Sequence, residues 1–331
     1  MNLITKIQTW ALLGLVLSGA IALMAEDANA NSYPEREIRY ILPWSAGGVS
    51  DSIARTLGQE VAKEGLLIVI EYAPGATGTL GLAKLASAKP DGYTIGTATS
   101  SQLAMVAQGL TKTKNDEFTY LNQTSVEYFI LLVPSASPVN TIKDFVEYAK
   151  KRDGKLSIGA AGTNNIPHIL ASNTAHLADA PYIYIPYPGA TKALIDLAGG
   201  QIDAVIAKPS ESRALMDSGK IRAIGLYADK RMNILPDTPT FTEMGFNMFP
   251  DGPLTQMSYI VAPAGLPAHV TQKLLDAFER AIQSQAYKKF AEENGFSATN
   301  VKAADLRAEV DAVQATFDRV APKVFKTKDA K

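Results

Sequence analysis

The chain has 331 residues, which is long enough for two domains with a hydrophobic core in each. Its 32 Lys and Arg residues nearly balance its 33 Asp and Glu residues, and the net charge of −1 gives no reason to expect nucleic acid or a membrane surface as a partner. The lack of cysteine excludes disulfides, thiolate nucleophiles, cysteine-based metal sites and a lipoprotein anchor.

Residues 1–30 have the pattern of an export signal peptide. A positively charged start is followed by residues 11–24, an apolar run that is too short for a comfortable membrane span. Residues 28–30, Ala-Asn-Ala, fit an A-x-A cleavage site. We therefore expect cleavage near Ala30, with Ala25 as the alternative site, and a mature protein in the periplasm.

Apolar runs and glycine-rich turns predict successive strand-to-helix units in the first third of the mature chain. Strands are predicted at 37–42, at 66–71 (as a buried strand) and at 93–97, and helices at 50–63 and up to about residue 87. Ser50 is predicted as the N-cap of the first helix, and a hydroxyl-rich loop is predicted at 97–101. Repeated units of this kind predict a parallel sheet covered on both faces.

A second set of strands and helices predicts a second lobe. Its strands are predicted at 129–133, 155–159, 182–186, 204–207 and 221–226, with helices between them, one of which is capped by Ser210. Residues 235–252 are rich in Pro, Gly and Asp and are predicted to form a loop and linker. An apolar run at 259–262 and two amphipathic helices complete the chain.

Four loops that follow strands share small residues, glycines and hydroxyl groups, and each precedes a helix. They are 44–50, 75–81, 159–165 and 187–191. At the carboxyl ends of parallel strands, such loops and the free N–H groups of the following helices favour an anion as ligand. Any one loop has an ordinary turn as its alternative interpretation, but four in one chain favour a binding site.

Five side chains in or near these loops are candidates for a specific role, and each has a more ordinary alternative. Asp51 could stabilise the helix start, order the loop or hold a bridging water, and the alternative is an ordinary acid in a first helical turn. Lys208 either points to solvent or provides a counter-charge in a cleft. The position of His168, in the first turn after its loop, favours a structural role in shaping that loop. Trp44 and Tyr187 either line a pocket or pack on their own lobe.

Other classes of site lack their motifs. No glycine loop has the dinucleotide G-x-G-x-x-G fingerprint or a following G-K-[ST], the three histidines do not have metal-ligand spacing, and no G-x-S-x-G elbow is present. The sequence therefore predicts no catalytic residue, no metal and no cofactor.

Ordered motifs along nearly the whole mature chain resemble one family, the periplasmic solute-binding receptors of tripartite tricarboxylate transporters, often called the Bug family. The most specific motifs are Pro43-x-x-x-Gly47-Gly48-x-x-Asp51, Pro74-Gly75-Ala76-x-Gly78-x-x-Gly81, Pro90-Asp91-Gly92-Tyr93-Thr94, Asp196-Leu197-x-Gly199-Gly200-Gln201-Ile202-Asp203 and Ala262-Pro263-Ala264-Gly265-x-Pro267. The resemblance implies an α/β fold, the type II periplasmic binding protein or Venus flytrap. It has two doubly wound lobes and two crossover segments, with lobe one at 31–126 and 252–331 and lobe two at 127–251.

The resemblance also implies a small carboxylate as ligand, a di- or tricarboxylate or an aromatic acid, and an integral-membrane permease as partner of a monomeric receptor. A receptor that signals to a sensor kinase and an exported hydrolase are the alternatives. The predicted ligand-binding residues are Trp44, Ser45, Ala46, Gly47, Gly48, Asp51, Gly75, Ala76, Thr77, Gly78, Thr99, Ser100, Gly162, Thr163, Asn164, Asn165, His168, Tyr187, Pro188, Gly189 and Lys208.

The chain departs from the family pattern at several positions, and these departures bear on the identity of the ligand more than on the fold. Trp44 stands where phenylalanine is usual, and Pro188 where lysine is common. Around Ala207 the family often has an acid or amide, whereas Ala207 and Lys208 leave a cation and no acid. The resulting hypothesis is a ligand with a second anionic group that faces Lys208 and no ammonium group.

Overall fold

The structure is a computed structural model that describes residues 33–152 and 154–325. The predicted signal peptide lies outside the described residues. Within the described ranges, no helix combines the length and apolar character needed to cross a membrane.

The described chain alternates strands and helices along most of its length. The strands are β1 (Ile38–Leu42), β2 (Ile68–Tyr72), β3 (Thr94–Thr99), β4 (Phe118–Glu127), β5 (Phe129–Pro134), β6 (Leu156–Ala161), β7 (Tyr182–Tyr187), β8 (Ala204–Ala207), β9 (Ile221–Tyr227), β10 (Gln256–Pro263) and β11 (Phe296–Ser297). The helices are α1 (Val49–Ala62), α2 (Thr79–Ala86), α3 (Ser100–Ala107), α4 (Ile142–Lys151), α5 (Ile166–Leu177), α6 (Ala190–Ala198), α7 (Pro209–Asp217), α8 (Ala268–Gln283), α9 (Gln285–Glu293) and α10 (Ala303–Val324).

Two sheets form the cores of two lobes, as a type II periplasmic binding fold requires. The first has the order β11-β4-β10-β3-β1-β2, and the second has the order β7-β6-β8-β5-β9. The chain passes from the first sheet to the second at Tyr128, between β4 and β5, and returns between β9 and β10. Both crossings lie beside each other because β4 and β10 are neighbours in the first sheet and β5 and β9 in the second.

The parallel arrangement predicted from the first three strand-to-helix units is confirmed for β1, β2 and β3, but each sheet as a whole is mixed. β1 runs parallel to β2 and β3, and β6 runs parallel to β7 and β8. β10 is antiparallel to β3 and β4, and β5 is antiparallel to β8 and β9. β5 and β10 are the strands by which the chain enters each sheet after a crossing, so their direction is set by the crossing rather than by a βα unit.

Strand β2 lies at the edge of its sheet and is only partly buried, which corrects the prediction of a buried strand. The apolar run at 66–71 gave that prediction, but Leu67 and Val69 are 55% and 49% exposed. Edge strands carry no partner on one side, so apolar composition alone does not decide burial.

Two predicted helix caps are also wrong. Gly48, not Ser50, is the N-cap of α1, and Lys208, not Ser210, is the N-cap of α7. β3 continues to Thr99 and α3 begins at Ser100, so the predicted hydroxyl-rich loop is a direct strand-to-helix junction. Each correction brings a helix start closer to the end of its strand, and thus closer to the cleft between the lobes.

Helix α10 joins the lobes along one side of the molecule. It packs on α3 and β4 of the first lobe, and its end contacts α5 of the second. The ring of Phe325 lies 5.3 Å from the ring of His168, and buried residues of both lobes form one continuous apolar cluster with the helix. Packed side chains therefore connect the two lobes along the α10 side of the molecule.

Candidate functional site

A cleft with a volume of about 470 Å³ lies between the lobes, where strands of both sheets end. Ten predicted site residues line it: Trp44, Gly48, Thr77, Thr99, Gly162, Thr163, Asn165, Pro188, Gly189 and Lys208. Eleven predicted site residues lie outside this lining: Ser45, Ala46, Gly47, Asp51, Gly75, Ala76, Gly78, Ser100, Asn164, His168 and Tyr187. Most residues of both sets come from the four glycine-rich loops, which therefore combine lining residues with residues that hold the loop in place. Thr99, Ser100 and Lys208 come from two other strand-to-helix junctions, and Asp51 and His168 lie in the first turns of the helices that follow two of the loops.

Five helices begin at the wall of this cleft, two from the first lobe and three from the second. The first residues of α1, α3, α5, α6 and α7, or their N-caps, are all among the lining residues. Gly48 and Gly189, the N-caps of α1 and α6, have no side chain that could accept from the first N–H groups. Unsatisfied N–H groups and the partial positive charge of a helix start both favour an anion.

A second cavity, with a volume of about 710 Å³, lies on the other side of the crossing strands. It is lined by Tyr128 and by residues of 228–234 and 288–298. No described helix begins at its wall. The smaller cleft is therefore the better candidate for a ligand site, because it holds the groups that recognise an anion.

Asp51 orders the first loop and does not line the cleft. Its side chain is 7% exposed, and its carboxylate accepts from the backbone N–H of Gly47 at 2.8 Å, the Tyr72 hydroxyl at 2.8 Å and Nε of Arg55 at 2.9 Å. Burial by itself raises the pKa of Asp51, but the Gly47, Tyr72 and Arg55 donors together lower the pKa below its usual value. Asp51 thus stays charged and fixes the turn that presents Gly48.

The second loop places Thr77 in the cleft and uses its glycines for close packing. Gly78 has a φ of 87°, and a Cβ there would lie 2.4 Å from Nε2 of Gln102 and 3.3 Å from Cζ2 of Trp44. The Gln102 side-chain oxygen in turn accepts from the backbone N–H and the hydroxyl of Thr99. Gly78 therefore lets the second loop sit directly on the start of α3 and on Trp44.

His168 shapes the third loop, as the sequence favoured. Its Nδ1 accepts from the backbone N–H of Asn164 at 3.2 Å, and its ring stacks on Tyr184 with 3.8 Å between the ring centroids. Burial lowers the pKa of His168 to about 4, so the ring is neutral near pH 7 and Nδ1 is free to accept. The Asn165 side chain caps α5 by accepting from the N–H of His168.

Tyr187 packs on its own lobe, and the prediction that it faces the pocket is wrong. Its ring fills the space beside Gly159, where a Cβ would lie 2.9 Å from the ring, and its hydroxyl donates to Asp196 at 3.0 Å. Tyr187 is the last residue of β7 rather than a loop residue, so its side chain follows the pleat of the strand. The next residues, Pro188 and Gly189, line the cleft in its place.

Lys208 lines the cleft, but it is not an unpaired cation. Its ammonium forms an ion pair with Glu127, whose side chain is 4% exposed, while that of Lys208 is 21% exposed. Burial by itself lowers the pKa of Lys208, but Glu127 and Glu211 raise it above its usual value. The sequence interpretation of a cation without an acid is therefore wrong, because the acid comes from the end of β4 in the other lobe.

Five polar lining residues were not among the predicted ligand-binding residues: Ser50, Ser101, Glu127, Glu211 and Gln256. Glu127 and Gln256 face each other at the ends of β4 and β10. The long strand β4 was not predicted, because its polar residues at 122–125 hide the apolar pattern of a buried strand. The available signal was that Glu127, an acid, lies two residues before the predicted apolar strand at 129–133, where the chain was predicted to cross between lobes. Within the described residues, no cluster of three or more acidic or histidine side chains could hold a metal ion.

Comparisons with known proteins agree on one family. The family described as "Tripartite tricarboxylate transporter family receptor" matches residues 48–322 of the chain. The chain is 31% identical over 276 residues to the UPF0065 protein in the gbd 5' region of Cupriavidus necator, an alignment that covers 81% of each chain.

Two solved structures extend the likeness to the fold. The periplasmic binding protein BugD superposes with a TM-score of 0.76 at 26% identity, covering 88% of this chain and 99% of BugD. MatC from Rhodopseudomonas palustris, solved with bound malate, superposes with a TM-score of 0.74 at 25% identity, covering 87% of this chain and 99% of MatC. The two-lobed architecture is thus shared over nearly the whole described chain.

Proposed function

Since this chain belongs to the tripartite tricarboxylate transporter receptor family, we propose that it is a periplasmic receptor that captures a small carboxylate and delivers it to a membrane permease. The observation that supports this most is the pair of uncapped helix starts at Gly48 and Gly189, one from each lobe, in one cleft. A carboxylate between them would accept from N–H groups of both lobes.

Binding of this kind couples affinity to closure. A charge at a helix start contributes about 0.3–1 kcal/mol when exposed and up to about 2 kcal/mol when partly buried. The ligand gains the contribution of both helices only when the lobes approach each other, so it binds the closed form better. It therefore shifts the open–closed equilibrium toward the form that a permease can distinguish from the empty receptor.

The chemical class of the ligand is proposed from the site together with a relative. MatC was solved with malate, and a small dicarboxylate or tricarboxylate or an aromatic acid fits a cleft of about 470 Å³. The aromatic alternative draws support from Trp44, which lines the cleft, and from the apolar lining residues Phe129 and Ile206.

A thermal-shift screen of the mature chain against a carboxylate panel tests the proposal. A ligand present at one hundred times its Kd adds about 2.7 kcal/mol to the free energy of unfolding. We expect at least one carboxylate to raise the melting temperature, and neutral sugars to leave it unchanged. A shift with a sugar and with no carboxylate would overturn the proposal.

The variant Gly48→Asp ties the effect to the helix start. Gly48 has a φ of −87°, and a Cβ there would meet nothing closer than 4.0 Å, so a side chain fits. Aspartate is a favoured N-cap and should maintain the stability of α1 while its carboxylate occupies the N–H groups. We expect an undiminished melting temperature and a loss of carboxylate binding. Unchanged binding would place the ligand elsewhere.

A further inference from the structure

We propose that Glu127 sets the receptor's preference between monocarboxylates and dicarboxylates. It does so by forming an ion pair with Lys208, the cation that a second ligand carboxylate would need. The inference rests on the proposed function, since it presumes that one carboxylate is held at the start of α1. Glu127 competes with the ligand carboxylate for Lys208, and it has the advantage of being held next to Lys208 by the protein itself.

The two residues meet across the crossing between the lobes. Glu127 is the last residue of β4 in the first sheet, and Lys208 precedes α7 in the second. Ala207 pairs with Ile130, three residues beyond Glu127, so the register of β8 on β5 holds Lys208 beside the crossing. Their ion pair is largely withdrawn from solvent on the Glu127 side, where 4% of the side chain is exposed.

Lys208 is the one cation among the charged side chains that line the described cleft. The others are Glu127 and Glu211, and Glu211 is already held by the backbone N–H of Lys208 at 3.0 Å. A ligand carboxylate could therefore form an ion pair with a side chain of this cleft only by displacing Glu127 from Lys208.

Lys208 also lies where the far end of an elongated ligand would reach. In the first sheet, β1, β3, β10 and β4 are successive neighbours, so the end of β1 lies about 14 Å from the end of β4 at roughly 4.8 Å per strand. The start of α1 follows β1, and Glu127 ends β4. A ligand held by one carboxylate at Gly48 thus extends toward the ion pair.

Displacement of Glu127 by a ligand is unfavourable. It would leave the carboxylate of Glu127, whose side chain is 4% exposed, without its cation, and an unpaired buried charge costs far more than a surface one. A second ligand carboxylate consequently gains little in the wild-type protein. Neutralising Glu127 removes the competitor and leaves Lys208 available.

Matched acids that differ only in the second carboxylate test this directly. Calorimetry would give Kd for hexanoate against hexanedioate, and for octanoate against octanedioate, so that chain length is not the variable. In wild type we expect the two Kd values of each pair to agree within about threefold. In Glu127→Gln the ratio of the monoacid Kd to the diacid Kd should rise by about tenfold or more. This is the change expected from one new charge-assisted hydrogen bond between the diacid and Lys208.

The double variant Glu127→Gln/Lys208→Met provides the control. It replaces both charges by neutral side chains of similar length, and we expect it to return the ratio to near the wild-type value. A wild type that prefers the diacids tenfold, or a Glu127→Gln ratio that does not move, overturns the inference. Far-ultraviolet circular dichroism and melting temperature establish that each variant is folded.

Failure of this inference is distinguishable from failure of the proposed function. If Gly48→Asp abolishes binding of both acids of a pair but Glu127→Gln leaves their ratio unchanged, the receptor function stands and the role of Glu127 is wrong. If Gly48→Asp leaves binding of both acids intact, the proposed carboxylate site itself is wrong.

Discussion

Replacement of Asp51 should loosen the loop that presents the first helix start. Three donors converge on its carboxylate, from Gly47, Tyr72 and Arg55. Asp51→Ala leaves the N–H of Gly47 and the Tyr72 hydroxyl without this acceptor, whereas the Arg55 side chain, 59% exposed, regains water. Since a hydrogen bond to a charged group contributes about 1.5–3 kcal/mol, we expect a loss of about 2–3 kcal/mol in the free energy of unfolding.

Asp51→Asn separates charge from shape. The amide retains one oxygen for the N–H of Gly47 but no charge for Arg55, so we expect a smaller loss of about 1–2 kcal/mol. Urea unfolding measures both losses, and calorimetry with the best carboxylate should show weaker binding, since Gly48 is no longer held. Asp305→Asn is the matched control, an exposed acid in the first turn of α10, and should change stability by less than about 0.5 kcal/mol.

The contribution of Asp51 should depend on pH with a defined sign. The pKa of Asp51 is lowered in the folded protein from its ordinary value of 3.8, so the unfolded chain takes up the proton first. The stabilisation is therefore complete above pH 3.8 and is lost as the pH falls further through the folded pKa. The stability difference between wild type and Asp51→Asn should shrink in that acid range. This role for Asp51 would be refuted if, at pH 7, Asp51→Asn lowered the free energy of unfolding no more than Asp305→Asn does and left the ligand affinity unchanged.

Two further substitutions test the loops behind the cleft. Gly78→Ala should lower the free energy of unfolding by about 1–3 kcal/mol through overpacking, because a Cβ would lie 2.4 Å from Gln102 Nε2 at a residue with a positive φ. A loss of less than about 0.5 kcal/mol in urea unfolding would contradict this. His168→Asn should remove a pH dependence. The pKa of His168 is about 4 in the folded state, below its ordinary 6.5, so wild type loses stability as the pH falls from 6.5 toward 4, and the variant should lack that slope in thermal unfolding. It should also lose about 0.5–1.5 kcal/mol with the ring stacking on Tyr184.

The parts of the fold that local pattern determines were predictable. The strand at 204–207 has the bounds that its apolar run and flanking residues predicted, and the strand predicted at 129–133 differs from β5 by one residue at its end. The directions of β5 and β10 were not predictable from local pattern, since they depend on where the chain crosses between lobes. The position of β2 at an edge likewise depends on which strands become its neighbours.

In the candidate site too, local features were predictable and features that depend on long-range packing were not. Glycine loops before helices predicted where the cleft lies, because the strand-to-helix junction is a local feature. Which residue of a loop reaches the ligand depends on pleat and packing, and so Tyr187 turned inward while Pro188 and Gly189 line the cleft. The partner of Lys208 comes from a strand 81 residues earlier in the chain, and a motif confined to residues 207–208 carries no sign of Glu127.

The central claim, that the starts of α1 and α6 hold a carboxylate between the lobes, is tested most directly by a crystal structure of residues 31–331 with the carboxylate that binds best. We predict a ligand oxygen about 3 Å from a backbone nitrogen in the first turn of α1, with lobes closer together than without ligand. A ligand bound in the cavity beside Tyr128, or one whose carboxylate contacts neither helix start, would contradict the account.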